Sequence, residues 1–198
     1  MERRSFIATL SASLVLVPFW PRPAAALTET RAEDLIGRLV TDINKVIASG
    51  KSETAMYRDF ERIFARYSDT SYIAAYAMGV EGRRASSAQK KAFSQAFQGY
   101  IARKYGRRFR EFIGGKLEVK KVKRVKSWYE VTTIAYLQGQ SPFDVTFQVS
   151  DRSGKDLFFN MFIEGINLLL TERTEIGAIL DRNKGDIDSL IKDLKKIS

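Results

Sequence analysis

Three carboxylates stand where this chain would have to place a reacting group. Glu164 falls at the break between a dense apolar run and a helix, and Asp144 and Glu130 lie on neighbouring strand segments. A carboxylate in greasy surroundings can work as a base of raised pKa, as in some isomerases. The plainer role for Glu164 is to cap or ion-pair a helix terminus, because structural ion pairs perturb carboxylates as readily as active sites do. Little else is available to complete a catalytic set. The chain has no histidine, which removes the usual general base at neutral pH and the commonest metal ligand. It has no cysteine, so disulfides contribute nothing. The sequence holds no nucleotide-binding glycine loop, paired-carboxylate signature or metal-ligand spacing. A non-enzyme is favoured, with no catalytic residue, metal or cofactor assigned. An enzyme using Glu164 or Asp144 as a base on an apolar small molecule stands second.

A second chemistry is offered by cations. Arg103, Lys104, Arg107, Arg108 and Arg110 are followed by Lys116, Lys120, Lys121, Lys123, Arg124 and Lys126, the latter alternating with Leu117, Val119, Val122 and Val125. This is a basic-faced strand beside a basic helix end, a pattern that by itself permits nucleic acid. The N-terminus argues otherwise. Met1-Glu2-Arg3-Arg4, an apolar stretch from Phe6 to Trp20 and the small residues Ala24-Ala25-Ala26 have the layout of a cleavable export signal. Arg3-Arg4-Ser5-Phe6-Ile7 also resembles a twin-arginine signal. An exported protein seldom meets nucleic acid, so anionic lipid headgroups or an acidic partner fit the cations better. A solvated face that protects a sheet edge explains them equally well.

A cut after Ala26 leaves residues 27–198, one domain's worth of chain. Removing Arg3, Arg4, Arg22 and Glu2 from 33 basic and 23 acidic residues leaves 30 and 22, a net charge of +8. Within this domain the dominant stretch is Lys155 to Arg173. Its apolar run Leu157-Phe158-Phe159-Asn160-Met161-Phe162-Ile163 reads as a strand, with Leu157, Phe159, Met161 and Ile163 on one face and Phe158 and Phe162 on the other. A strand apolar on both faces needs a layer or a ligand on each side. Of the 13 phenylalanines only Phe6 and Phe19 fall in the export segment, so large apolar side chains are abundant. Either helices seal both faces of the sheet or one face encloses something apolar.

The elements that must position these groups follow from periodicity. A stripe of Leu35, Ile36, Leu39, Val40, Ile43, Val46 and Ile47 predicts a helix over 28–49, stopped by Gly50. Ser52 opens a second through Met56, Phe60, Ile63, Phe64 and Tyr67, and a short third runs over about 71–78. Ser86-Ser87 caps a fourth through Phe93, Phe97, Tyr100, Ile101 and Tyr105, with a kink at Gly106 before Phe109, Phe112 and Ile113. The period then switches to two over 117–124, 128–137, 143–149 and 157–163, whose short links imply antiparallel neighbours. Helices over 168–182, capped by Asn167, and 187–196 close an α+β chain. Its helical part spans about 28–113, its sheet about 116–164 and its last helices 168–197.

This order of elements, with Ser87-Ala88-Gln89-Lys90-Lys91-Ala92-Phe93-Ser94-Gln95-Ala96-Phe97 and Ile163-Glu164-Gly165-Ile166-Asn167-Leu168 followed by Arg173, resembles the MlaC family over essentially the whole mature chain. Members are periplasmic phospholipid-binding proteins, also called toluene-tolerance proteins. The resemblance implies a curved four-stranded antiparallel sheet like that of nuclear transport factor or cystatin, with a helical subdomain, around a tail-binding cavity. It also implies transport between an outer-membrane lipoprotein or porin complex and an inner-membrane ABC transporter. Where the family usually has a Trp and then Asp-Val on the last strand, this chain has Asp156 and Asn160-Met161. A related branch is associated with hopanoid lipids, so phospholipid and hopanoid are both kept as cargo.

On that basis the lipid is expected between the sheet and the Phe97–Tyr105 helix. The expected lining is Phe97, Ile101, Tyr105, Val131, Val145, Phe147, Phe159, Met161, Ile163 and Leu169. The carrier is expected to be a periplasmic monomer that touches membranes transiently and binds no nucleic acid. A structural envelope adaptor with a sealed core is the third reading.

Overall fold

The computed structural model describes residues 26–108 and 114–197; the expected export segment before residue 26 and the extension through Phe109, Phe112 and Ile113 lie outside the described residues. The α+β order is the expected one. Helices α1 (Glu29–Ile47), α2 (Glu53–Tyr67), α3 (Thr70–Met78) and α4 (Ser87–Arg108) come first. Strands β1 (Lys116–Val125), β2 (Trp128–Tyr136), β3 (Phe143–Ser150), β4 (Leu157–Ile163) and β5 (Ile166–Asn167) follow, then α5 (Leu168–Arg182) and α6 (Ile187–Lys196). The sheet is curved, antiparallel and paired in sequence order.

Local chemistry explains most of the boundaries. Thr28 Oγ1 accepts from Arg31 N at 3.3 Å, and Glu29 and Lys45 sit at the ends of α1 that their charges favour. The stripe from Leu35 to Ile47 on α1 is wholly buried, each large side chain being worth about 1.5–3 kcal/mol. A reciprocal capping box opens α4: Gln89 N donates to Ser86 Oγ at 3.1 Å, and Ser86 N donates to Gln89 Oε1 at 3.0 Å. Asn167 Oδ1 accepts from Leu170 N at 3.1 Å and so starts α5. Helix α4 continues through Gly106 to Arg108. A Cβ there would come within 2.6 Å of the Tyr57 ring, so the missing side chain lets α2 and α4 approach.

The fifth strand was not expected from the sequence. Glu164 (φ 50°) and Gly165 (φ 80°) are both left-handed and join Ile163 to Ile166, forming a two-residue hairpin of the primed kind. The break at Glu164-Gly165 is therefore a tight reversal that continues the sheet by two residues.

Two bulges shape the sheet, one in β1 between Val119 and Lys121 and one where β4 passes β3. At the second, Gln148 pairs with Asn160 but Val149 pairs with Phe158, leaving Phe159 as the extra residue. The bulge corrects the expected face assignment. Phe158, not Phe159, shares a face with Met161 and Ile163, because one inserted residue reverses a period of two. On that face α1 packs against β1, β2 and β3, and Asn44 exchanges two 3.1 Å hydrogen bonds with the Leu117 backbone. The opposite face carries Glu130, Thr132, Asp144, Thr146 and Gln148, several of them bonded across strands: Thr132 to Thr146 at 3.1 Å and Gln148 Nε2 to Glu130 at 3.0 Å. The strand pair β2–β3 is thus apolar toward the helices and polar away from them.

Candidate functional site

Between the helices and the β3–β4 half of the sheet lies a cavity of about 390 Å³. Its helical walls are Leu39 and Ile43 of α1, Phe60, Ile63 and Phe64 of α2, Ile73 of α3, and Ile101, Ala102, Tyr105 and Gly106 of α4. The strands supply Leu117, Phe143, Val145 and Phe147, and then Phe158, Met161 and Ile163, while Leu168 and Leu169 close it from α5. The β3–β4 ladder forms part of its wall. At one end Phe158 meets Phe64 and Phe147 edge-on, with ring centroids 5.9 and 5.5 Å apart. The wall then passes Met161, opposite Phe147, and Ile163, opposite Val145. Beyond Ile163 it turns polar, with exposed Glu164 and Gln140.

A polar cluster is set into the α4–α5 wall. Glu172, only 2% exposed, lines the cavity; its Oε1 accepts from Lys104 Nζ at 2.7 Å and from the Tyr105 hydroxyl. Lys104 Nζ also bonds Glu175 and donates to the Tyr100 hydroxyl at 3.1 Å. Glu172 Oε2 is buried and has no hydrogen-bond partner among the described residues. Burial, and then the charges of Glu172 and Glu175, push the Tyr100 phenol far above its usual pKa, so it stays neutral. Lys104 balances two carboxylates that α5 presents one turn apart. The ion pair of Lys104 with Glu172 joins residues 68 apart in sequence.

The three carboxylates singled out at the start do not converge. Asp144 and Glu130 lie on the face turned away from the cavity, Asp144 3.6 Å from Lys120 Nζ and Glu130 bonded to Gln148. Glu164 borders the cavity but is exposed, and its carboxylate makes no bond among the described residues. It caps no helix and pairs with no cation there, contrary to the structural role expected of it. Its turn is held by the backbone bond from Glu164 N to Asp144 O at 3.1 Å.

The MlaC protein family model matches residues 35–196, the greater part of the chain. The chain belongs to the MlaC family. A phospholipid-binding protein from Ralstonia solanacearum, solved in complex with a phospholipid, superposes with a TM-score of 0.72 at 15% sequence identity, covering 84% of this chain and 96% of that one. At that identity the likeness establishes a shared fold.

Within this MlaC-family fold the expected lining residues fall into two groups. Ile101, Tyr105, Val145, Phe147, Met161, Ile163 and Leu169 border the cavity, and so does Phe159, although its ring leans away onto Tyr72 and Trp128 at 5.6 and 6.1 Å. Phe97 and Val131 do not border it. Phe97 is fully buried, stacked on Phe93 at 5.7 Å and tilted against Tyr100 at 6.1 Å, so the cavity begins one helical turn further along α4. Val131 is fully buried between Val122 and Phe147 on the part of the sheet that α1 covers. The α1 and α2 walls were missed. Their stripe of Leu39, Ile43, Phe60, Ile63 and Phe64 is identical in pattern to an ordinary core stripe, and no local signal distinguishes facing a void from facing a neighbour.

The departures from the family pattern have structural work in this chain. Asp156 Oδ2 takes the Arg31 guanidinium at 2.6 Å, tying the start of β4 to α1. Asn160 Nδ2 donates to Gln148 at 3.1 Å, while its Oδ1 accepts from Met161 N at 2.8 Å and Leu169 N at 3.2 Å. One side chain thus holds both the bulge and the first turn of α5, the two features that aim Met161 and Leu169 at the cavity.

Proposed function

We propose that this protein is a periplasmic lipid carrier: it buries the acyl chains of a phospholipid in the cavity and moves the lipid between an outer-membrane complex and an inner-membrane ABC transporter. The observation that supports this most directly is the cavity itself, about 390 Å³ walled mainly by apolar side chains. Side chains that border such a space lack packing partners on one side, and the cost of leaving it unfilled grows with its volume. So large a void is explained best by an apolar guest that fills it.

The energetics of transfer suit a carrier. Two acyl chains of roughly thirty methylenes represent on the order of 24 kcal/mol of water avoidance at about 0.8 kcal/mol each. A bilayer offers the same, so exchange between membrane and pocket is near neutral and a partner can tip it either way. Such work needs no nucleophile, metal or histidine. The tails would lie between Phe158 and Ile163, and the headgroup beyond Ile163 beside Gln140 and Glu164, because removing a phosphate from water is costly. Export of the mature chain after Ala26 belongs to the same reading.

Native mass spectrometry of freshly purified protein tests it, with extraction and identification of whatever lipid co-purifies. A bound species of phospholipid mass is expected. A lipid-free protein that gains no mass on incubation with phospholipid vesicles ends the proposal, and a hopanoid in the extract reassigns the cargo.

A further inference from the structure

Among the described residues, the first to pack against the core is Leu27. Its side chain is half-buried against the core, and its backbone nitrogen donates to Asp151 Oδ2 at 2.9 Å, 124 residues away in the β3–β4 turn. One residue earlier, Ala26 is exposed, and its carbonyl accepts from Arg31 Nη1 at 3.1 Å. Ala26 also ends the Ala24-Ala25-Ala26 cleavage pattern. The chain's own small-residue signal therefore ends at the peptide bond whose nitrogen is held by Asp151. We infer that Asp151 is a docking site for the amino terminus created by cutting the Ala26–Leu27 bond.

The chemistry changes at the same atom. Water's oxygen joins the Ala26 carbonyl carbon as a carboxylate, and both of its protons end on the Leu27 nitrogen, which becomes an ammonium. A neutral amide donor facing Asp151 is thereby converted into a cation facing it, and a charge-assisted bond is roughly twice as strong as a neutral one. Arg31 holds Asp156 at 2.6 Å and Arg152 donates to Ser127 Oγ at 2.7 Å, and among the described residues no side-chain cation forms a salt bridge with Asp151. Asp151 is left to receive the new charge. Removal of the export segment would thus tighten α1 against the sheet, and the folded carrier would be more stable after processing than before it.

This inference rests on the export reading but not on lipid binding. The full-length gene is expressed, the exported protein is isolated, and its amino terminus is sequenced. A start at Leu27 supports the site. A start elsewhere in the chain overturns it, and a protein that still begins at Met1 overturns the export reading as well. The exported protein and its Asp151→Asn variant are then melted before and after transamination of the α-amine, which removes the terminal charge without touching lysines. Transamination is expected to lower the midpoint by about 3 °C in the parent and by little in the variant. Equal shifts in the two proteins, or none in the parent, overturn the assignment.

Discussion

The two halves of the sheet's inner face have similar apolar side chains and opposite fates. Over β1 and β2, α1 lies directly on the strands: Val131 and Ala135 are fully buried, and Asn44 bonds the Leu117 backbone from both sides. Over β3 and β4 the cavity lies between helices and strands, and Phe147, Met161 and Ile163 border it. The difference does not lie in hydrophobicity. The cavity half carries the bulge at Phe159, which puts Phe158 on the same face as Met161 and Ile163. The cavity here is a place where side chains of ordinary core type are not in full contact.

That contrast can be broken most severely at Phe97. Phe97→Ala should lower the unfolding free energy by about 3–5 kcal/mol in urea titrations while leaving lipid bound per folded molecule unchanged, because the ring serves packing alone. A loss of lipid without a loss of stability would erase the distinction between the two regions. Tyr100 sits at their border, and its raised pKa gives a signed expectation. The neutral phenol contributes stability that is fully present below about pH 10 and declines as pH rises, because the unfolded chain ionises first. Above pH 10 the parent should lose up to about 1.4 kcal/mol per pH unit from this group, a slope missing from Tyr100→Phe. Chemical denaturation at several alkaline pH values reads it.

The cavity half should respond in the opposite sense to added volume. Met161→Trp is expected to lower lipid occupancy by about tenfold, equivalent to 1.4 kcal/mol, with the lipid-free protein no less stable, as judged by native mass spectrometry and thermal melting. Loss of folding instead would mean that the space around Met161 is already filled. The smallest effect concerns the rim. Glu164 holds a left-handed backbone that suits glycine, so Glu164→Gly should stabilise the hairpin by about 1 kcal/mol. Lipid binding should not change if the carboxylate has no chemical part in it.

Parts of this molecule could be read residue by residue. The helix over 28–49 follows from its stripe, the start of α4 from Ser86 and Gln89, and the start of α5 from Asn167, because caps and periodicity act within a few residues of themselves. The strand segments and their antiparallel order followed from short links in the same way. The site was legible only in part. Ile101, Tyr105, Val145, Phe147, Met161, Ile163 and Leu169 were reached through alternation and spacing, but Phe97 and Val131 met the same criteria and went into packing. Phe158 was placed on the wrong face because a bulge leaves no mark on the pattern of side chains. Glu164-Gly165 looked like an interruption and is a hairpin, since its partner residue Ile166 lies past the turn.

The amino-acid order alone determined the α+β layout, the helix boundaries, the absence of histidine and cysteine chemistry, and an excess of large apolar residues. Each of these depends on composition or on interactions a few residues apart. Only the folded chain decided where that apolar surface is in contact and where it is parted, and that Lys104, Tyr105 and Glu172 form one cluster. A cavity is a relation among elements distant in sequence. Its volume is set by how far backbones approach, and that distance is written in no single segment.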